Sequence, residues 1–148
     1  MSRTVLHGFN RHNLRSARKK RGYTAADLAR LADVGVATLL HWEDGSTTPQ
    51  AEGLLRVARA LDIPMTRLIV VPEKDRYPSY YRQLLGLGQA RLADIAGMPT
   101  STLQSIERGE AALGTEKAAA LAVALGIPEQ VLLEAYERVR LRKPGTRA

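Results

Sequence analysis

The chain has 148 residues, of which 45% are hydrophobic, 5% aromatic and 25% charged, enough apolar content for one ordinary core or two small ones. Its 22 Lys and Arg against 15 Asp and Glu give a net charge of +7, which points toward a polyanionic partner and makes nucleic acid the first suspect. The absence of cysteine excludes disulfides, thiolate zinc sites and cysteine nucleophiles, and with three histidines neither a metal site nor a cofactor is expected.

The first segment, Met1 to Asn13, lacks a signal-peptide apolar run and enough apolar periodicity to demand order, so it reads as an N-terminal arm. From Leu14 the apolar residues recur at helical spacing, with breaks at Gly, Pro and small polar residues. This predicts short helices at Leu14 to Arg21, Ala25 to Ala32, Val36 to Glu43, Pro49 to Leu61 and Pro64 to Ile69. Thr24 stands where an N-cap hydroxyl is needed, Asp27 adds negative charge to the first turn, and Gly22 and Gly45 can close the preceding helices. The longest apolar stretch, Leu68 to Pro72, is far short of the roughly 18 residues of a membrane span. Val71 to Ser79 carries two prolines and mixed charge and reads as a semi-rigid linker.

Beyond the linker the chain repeats itself. Sliding residues 14 to 70 forward by 64 positions, without a gap, aligns Arg18 with Arg82, Gly22 with Gly86 and Leu28-Ala29 with Leu92-Ala93. The same register pairs Thr38-Leu39 with Thr102-Leu103, Glu43 with Glu107, Gly45 with Gly109, Ile63-Pro64 with Ile127-Pro128 and Leu68 with Leu132. The expected organisation is therefore an arm (1–13), a first domain (14–71), a linker (72–79), a second domain (80–137) and a basic tail (138–148). In the second domain Gly86, Gly88, Gly109 and Gly126 punctuate the helices, and a longer last helix runs from Pro128 to about Arg142. Trp42 and Ile106, with Leu28, Leu39, Leu61, Leu92, Leu103 and Leu125, are expected to form core.

Two helices separated by only three or four residues must cross steeply, which is a helix-turn-helix. The segments TAADLARLADVGVATLLHWEDG and GQARLADIAGMPTSTLQSIERG resemble the Cro and phage-repressor (XRE) helix-turn-helix family, through Leu-Ala, the turn and the terminal Glu-x-Gly. The resemblance implies an all-α protein of tandem five-helix, lambda-repressor-like domains that set the second helix of each motif into the major groove of double-stranded DNA. It also implies that Glu43 and Glu107 pair with Arg18 and Arg82 as internal clamps, which neutralises a carboxylate that would otherwise repel phosphate.

The resemblance and the helical register assign base reading to Thr100, Ser101, Gln104 and Ser105 in the second unit, and to Val36, Ala37 and His41 in the first. For Thr100 and Ser101 the bland alternative is capping of their own helix. Gln89 matches a family glutamine that bonds a phosphate, and Arg15, Lys19, Arg21 and Arg108 are further phosphate candidates. Before its first acid, Asp27, the chain carries Arg3, Arg11, Arg15, Arg18, Lys19, Lys20 and Arg21, a run that is either a backbone-binding face or a solvated one. Arg138, Arg140, Arg142 and Lys143 form a second basic cluster.

The first unit departs from the family pattern. Ala25 stands in place of the glutamine, and Val36 with Leu40, one turn apart, fits either thymine methyls or a protein partner. The reading that follows is a sequence-specific DNA-binding transcriptional regulator, most simply a repressor, in a bacterial or phage cytoplasm. Its rivals are an antitoxin-like adaptor or homodimer, docking through Val36, Leu40 or the last helix, and a nonspecific nucleoid-type DNA binder. His41-Trp42-Glu43 is not a catalytic set, no phosphate-cradling glycine loop or nucleophile with a base appears, and an enzyme is not expected.

Overall fold

A computed structural model of the chain describes residues 6–148. Two compact units emerge, one built on the chain up to Val70 with Leu84–Gly86, the other on Val71–Gln83 with Leu87–Ala148. The described residues are helical throughout, apart from short turns and a single antiparallel bridge.

In the first unit α1 (Arg11–Lys20) starts where the Asn10 side chain accepts from the Asn13 amide at 2.9 Å, and it ends in three basic residues that suit a helix C-terminus. Next comes α2 (Ala25–Ala32), held by a complete capping box. Thr24 accepts from the Asp27 amide and Asp27 accepts from the Thr24 amide, both at 3.0 Å. Those backbone and hydroxyl bonds hold the Asp27 carboxyl below its usual range. Only three residues separate α2 from α3 (Val36–Asp44), the first of them Asp33 at φ 54, and Gly45 at φ 84 closes α3. The unit continues with α4 (Ala51–Leu61), and Leu14, Leu28, Leu39, Leu54, Val57, Leu61 and Leu68 fill its core.

In the second unit α5 (Pro78–Leu84), α6 (Gln89–Ala96), α7 (Thr100–Glu107), α8 (Thr115–Leu125) and α9 (Glu129–Arg140) follow. Three residues again join α6 to α7, and Gly97 at φ 73 stands at the position equivalent to Asp33. Leu92, Leu103, Ile106, Leu121, Leu125, Leu132, Tyr136 and Val139 form the core. All eight residues expected to be core are buried, and the two units repeat them position for position.

Two expectations need correction. The segment read as an arm is fastened from Leu6 onward. Leu6 is buried, Phe9 bridges Ile69, and the Asn10 and Val70 amides donate to the Leu68 and Gly8 carbonyls at 2.8 Å. Residues 1–5, including Arg3, lie outside the described residues. The fifth helix of the first unit is only a 3-10 turn, Met65–Arg67, because the chain straightens at Ile69 to pair with Phe9. The segment read as a semi-rigid linker carries local structure, and the start of the next helix falls inside it. Glu73–Asp75 forms a 3-10 turn, the Arg76 carbonyl accepts from Arg138 at 3.1 Å, and α5 begins at Pro78. The tail is anchored by buried Val139 and by Arg142, which donates to the Val139 carbonyl at 2.7 Å and to the Thr146 carbonyl at 3.0 Å.

Candidate nucleic-acid interface

Each unit carries a buried arginine–glutamate clamp under the second helix of its motif. In the first, Arg18 Nε and Nη2 meet the two Glu43 carboxylate oxygens at 2.7 and 2.8 Å, while Nη1 donates to the Tyr23 carbonyl at 3.0 Å. The hydrogen bonds and charge of Glu43 hold the Arg18 guanidinium above its usual range, against the opposing effect of burial. In the second, Arg82 Nε and Nη2 meet Glu107 at 2.7 and 3.1 Å, and Nη1 donates to the Leu87 carbonyl at 2.9 Å. Arg82 is 1% exposed and Glu107 4%. The bidentate fork satisfies both charges and ties α1 to α3 and α5 to α7. Trp42 is buried next to Glu43 in the first unit, where the Glu43 carboxylate is taken up by Arg18.

The clamps leave the outer faces of α3 and α7 free. On α7, Thr100 and Ser101 occupy the first turn, Ser101 is exposed, and neither caps the helix, whose N-cap is Pro99 without a side-chain bond. Gln104 and Ser105 lie half-buried one turn further on, and Arg108 is exposed with no side-chain partner among the described residues. On α3, Ala37 and His41 are exposed and Val36 and Leu40 are 43% and 45% exposed, a face poor in hydrogen-bonding groups.

Gln89 is not a free phosphate ligand here. Its amide nitrogen donates to Glu107 Oε1 at 2.8 Å, and its amide oxygen accepts from Gln104 Nε2 at 3.2 Å. Arg15, Lys19 and Lys20 are exposed and their side chains have no partner among the described residues. Arg21 donates to the Tyr23 hydroxyl at 3.1 Å and lies 5.5 Å from that ring's centre, an arrangement that raises its pKa and leaves it on the surface. The second basic cluster is largely committed. Arg138 pairs with Glu134 and Arg140 with Glu137 at 3.9 and 3.5 Å, and Arg142 donates to the Arg108 carbonyl at 2.5 Å.

The sequence reading missed the caps on the second helix of each motif. Arg11 Nη1 donates to the Glu43 carbonyl at 3.2 Å, and Arg142 does the equivalent service at Arg108, so each unit neutralises the C-terminus of the second helix of its motif with an arginine from a distant segment. The two arginines are unrelated by the repeat, and no local pattern signals either. Asp44 is held below its usual range by its bonds to the Ser46 hydroxyl and amide. Among the described residues no cluster of three or more His, Asp or Glu gathers to hold a metal ion, and no single helix is long and apolar enough to cross a membrane.

Comparison with known proteins agrees with this geometry. The sequence profile of the family described as helix-turn-helix matches twice, at residues 14–68 and 79–132, well over half of the chain. No curated protein and no solved structure matches the chain. The chain therefore belongs to the XRE-type helix-turn-helix family of DNA-binding regulators and carries two tandem copies of the family's domain.

Proposed function

We propose that the protein is a sequence-specific double-stranded-DNA-binding transcriptional regulator, most simply a repressor, in which the second unit reads bases and the first holds the backbone. The observation that carries this reading is the outer face of α7, where Thr100, Ser101, Gln104, Ser105 and Arg108 offer donors and acceptors that no cap consumes. Charge divides the labour. Residues 1–70 contain 11 Lys and Arg against 6 Asp and Glu, whereas residues 71–137 contain 6 against 9. Arg15, Lys19, Lys20 and Arg21 of the first sequence repeat have the neutral Ser79, Gln83, Leu84 and Leu85 at the equivalent places in the second repeat. Phosphate contacts from the first unit would position the protein, and covalent linkage raises the local concentration of the reading unit at its site.

A second reading is favoured by one specific observation. Val36 and Leu40 lie exposed one turn apart on α3, a face suited to docking a second copy or a partner protein. Selection of the full chain on a random duplex pool at about physiological salt, followed by footprinting, tests base reading by each unit. Two enriched blocks about one helical turn apart mean that both units read bases. One block leaves the first unit as a backbone or docking module. No enrichment overturns the sequence-specific function.

A further inference from the structure

Composition alone would leave the chain after α9 as a solvated tail, but residues 142–148 form a built corner. Lys143, Pro144, Gly145 and Thr146 make a β-turn, closed by the Thr146 amide donating to the Lys143 carbonyl at 3.0 Å, with Gly145 at φ 86. Proline followed by a glycine at positive φ is the pair that such a turn requires at its centre. The Arg142 guanidinium ties the turn down. It donates to the carbonyls of Val139 at 2.7 Å, Thr146 at 3.0 Å and Arg108 at 2.5 Å, and so joins the end of α9, the turn and the end of α7. The two backbones also meet directly, since a Cβ on Gly109 would lie 2.8 Å from the Arg140 Cα. Beyond the turn, Ala148 packs against the core of the second unit.

This corner supplies charge where the second unit lacks it. Residues 71–137 hold 6 Lys and Arg against 9 Asp and Glu, while residues 138–148 hold 5 and no acid. Arg138, Arg140 and Arg142 are spent on Glu134, Glu137 and backbone carbonyls. Lys143, Arg147 and Arg108 are exposed, and their side chains have no partner among the described residues. Glu110 is the one acid in residues 108–115, so the free cations outnumber it. A bare helix C-terminus carries partial negative charge that repels phosphate, and Arg142 cancels it at the Arg108 carbonyl.

We infer that Arg108, Lys143 and Arg147 form a phosphate-binding corner that grips the duplex backbone beside the bases read by α7, with Arg142 as the positioning residue that holds it there. A helix that enters the major groove by its N-terminus leaves it at the rim, where the phosphates lie, so the two ends of α7 take separate tasks. In the first repeat Asp44 stands at the place of Arg108, so this grip belongs to the second unit alone.

The inference rests on the DNA-reading function proposed above, and its test separates the two. Binding of the full chain to the selected duplex is followed against salt for the unaltered protein, for Lys143→Gln/Arg147→Gln and for Arg138→Gln. Two lost phosphate contacts should lower the slope of log affinity against log salt by about two, so that the fall in affinity between about 50 and 200 mM salt becomes about tenfold smaller. Arg138→Gln removes a charge from the same segment and should leave the slope unchanged, because that guanidinium is already committed. The double variant alters only exposed side chains, so its thermal midpoint should not move. Its loss of affinity should be even across base-pair variants of the duplex, and phosphates beside the enriched block whose ethylation blocks the unaltered protein should become indifferent to ethylation. Arg142→Gln should release the same phosphates while the base preferences of α7 remain, an outcome that a merely structural role does not produce.

An unchanged slope in the double variant, a loss confined to one base pair, or an ethylation pattern identical in both proteins would each overturn the corner while leaving the DNA-reading function standing. A random pool with no enriched position would overturn both.

Discussion

Removing Arg82 should cost the second unit more than almost any other single change. Its guanidinium makes two bonds to Glu107 and one to the Leu87 carbonyl, and the two side chains are 2% and 5% exposed. In Arg82→Met the carboxylate keeps only the Gln89 amide and stays in a site that water barely reaches. Breaking a buried pair by removing one partner costs about 3–5 kcal/mol, against a total stability of about 5–15 kcal/mol for a domain. The equivalent Arg18→Met should fall at or below about 3 kcal/mol, because the Arg18 side chain is 12% exposed and water can partly replace it. Urea unfolding of the full chain gives the cost, and amide hydrogen exchange at Leu103 and Leu121 assigns it to the second unit. The double variant Arg82→Met/Glu107→Leu removes both charges together and should be more stable than Arg82→Met alone. A cost below about 1 kcal/mol for Arg82→Met, or a double variant less stable than both singles, would refute the argument that a buried, mutually dependent pair holds α5 to α7.

Three further outcomes follow from the same geometry. Gly109 sits at φ 72, and a Cβ there would lie 2.8 Å from the Arg140 Cα, so Gly109→Ala combines left-handed strain with a backbone clash. It should cost at least about 2 kcal/mol by thermal or urea unfolding, while Gly97→Ala, at φ 73 in open space, should cost only the strain of about 1 kcal/mol. The Asp27 carboxyl is held below its usual range by Thr24, and a group depressed in the folded state contributes stability that is present above its unfolded pKa and lost as pH falls through its folded one. The gap in thermal midpoint between the unaltered chain and Asp27→Asn should accordingly be open at neutral pH and close in acid below the ordinary aspartate range. Replacing Arg15, Lys19 and Lys20 with Gln should lower the slope of log affinity against log salt by roughly one for each phosphate that is no longer neutralised. Arg138→Gln should leave that slope unchanged, since its guanidinium is spent on the Arg76 carbonyl and Glu134.

The repeat made the core legible, and the family resemblance the clamps. Leu28 and Leu92, Leu39 and Leu103, and Leu61 and Leu125 recur in register, and Arg18 with Glu43 recurs as Arg82 with Glu107. The capping box at Thr24 and Asp27 is written within four residues of chain and was equally readable. What stayed hidden joins segments far apart without periodicity. Phe9 meets Ile69, Arg11 reaches the Glu43 carbonyl and Arg142 reaches the Arg108 carbonyl, and in each case the partner is a backbone group that no residue identity announces. Gln89 was readable as a residue but not as a state, because its use inward or outward depends on Gln104 and Glu107 coming within reach on two other turns of helix.

Placement of α7 against bases is the centre of the account, and the lack of native cysteine allows it to be probed directly. A DNA-cleaving reagent attached to Ser101→Cys in the otherwise unaltered full chain, bound to the selected duplex, should cut within the enriched block at one position of the major groove. The same reagent on an exposed residue remote from this face, Val123→Cys on α8, should leave the block intact. Equal cutting from both positions, or tight binding with no cutting from Ser101→Cys, would contradict the reading of DNA by α7.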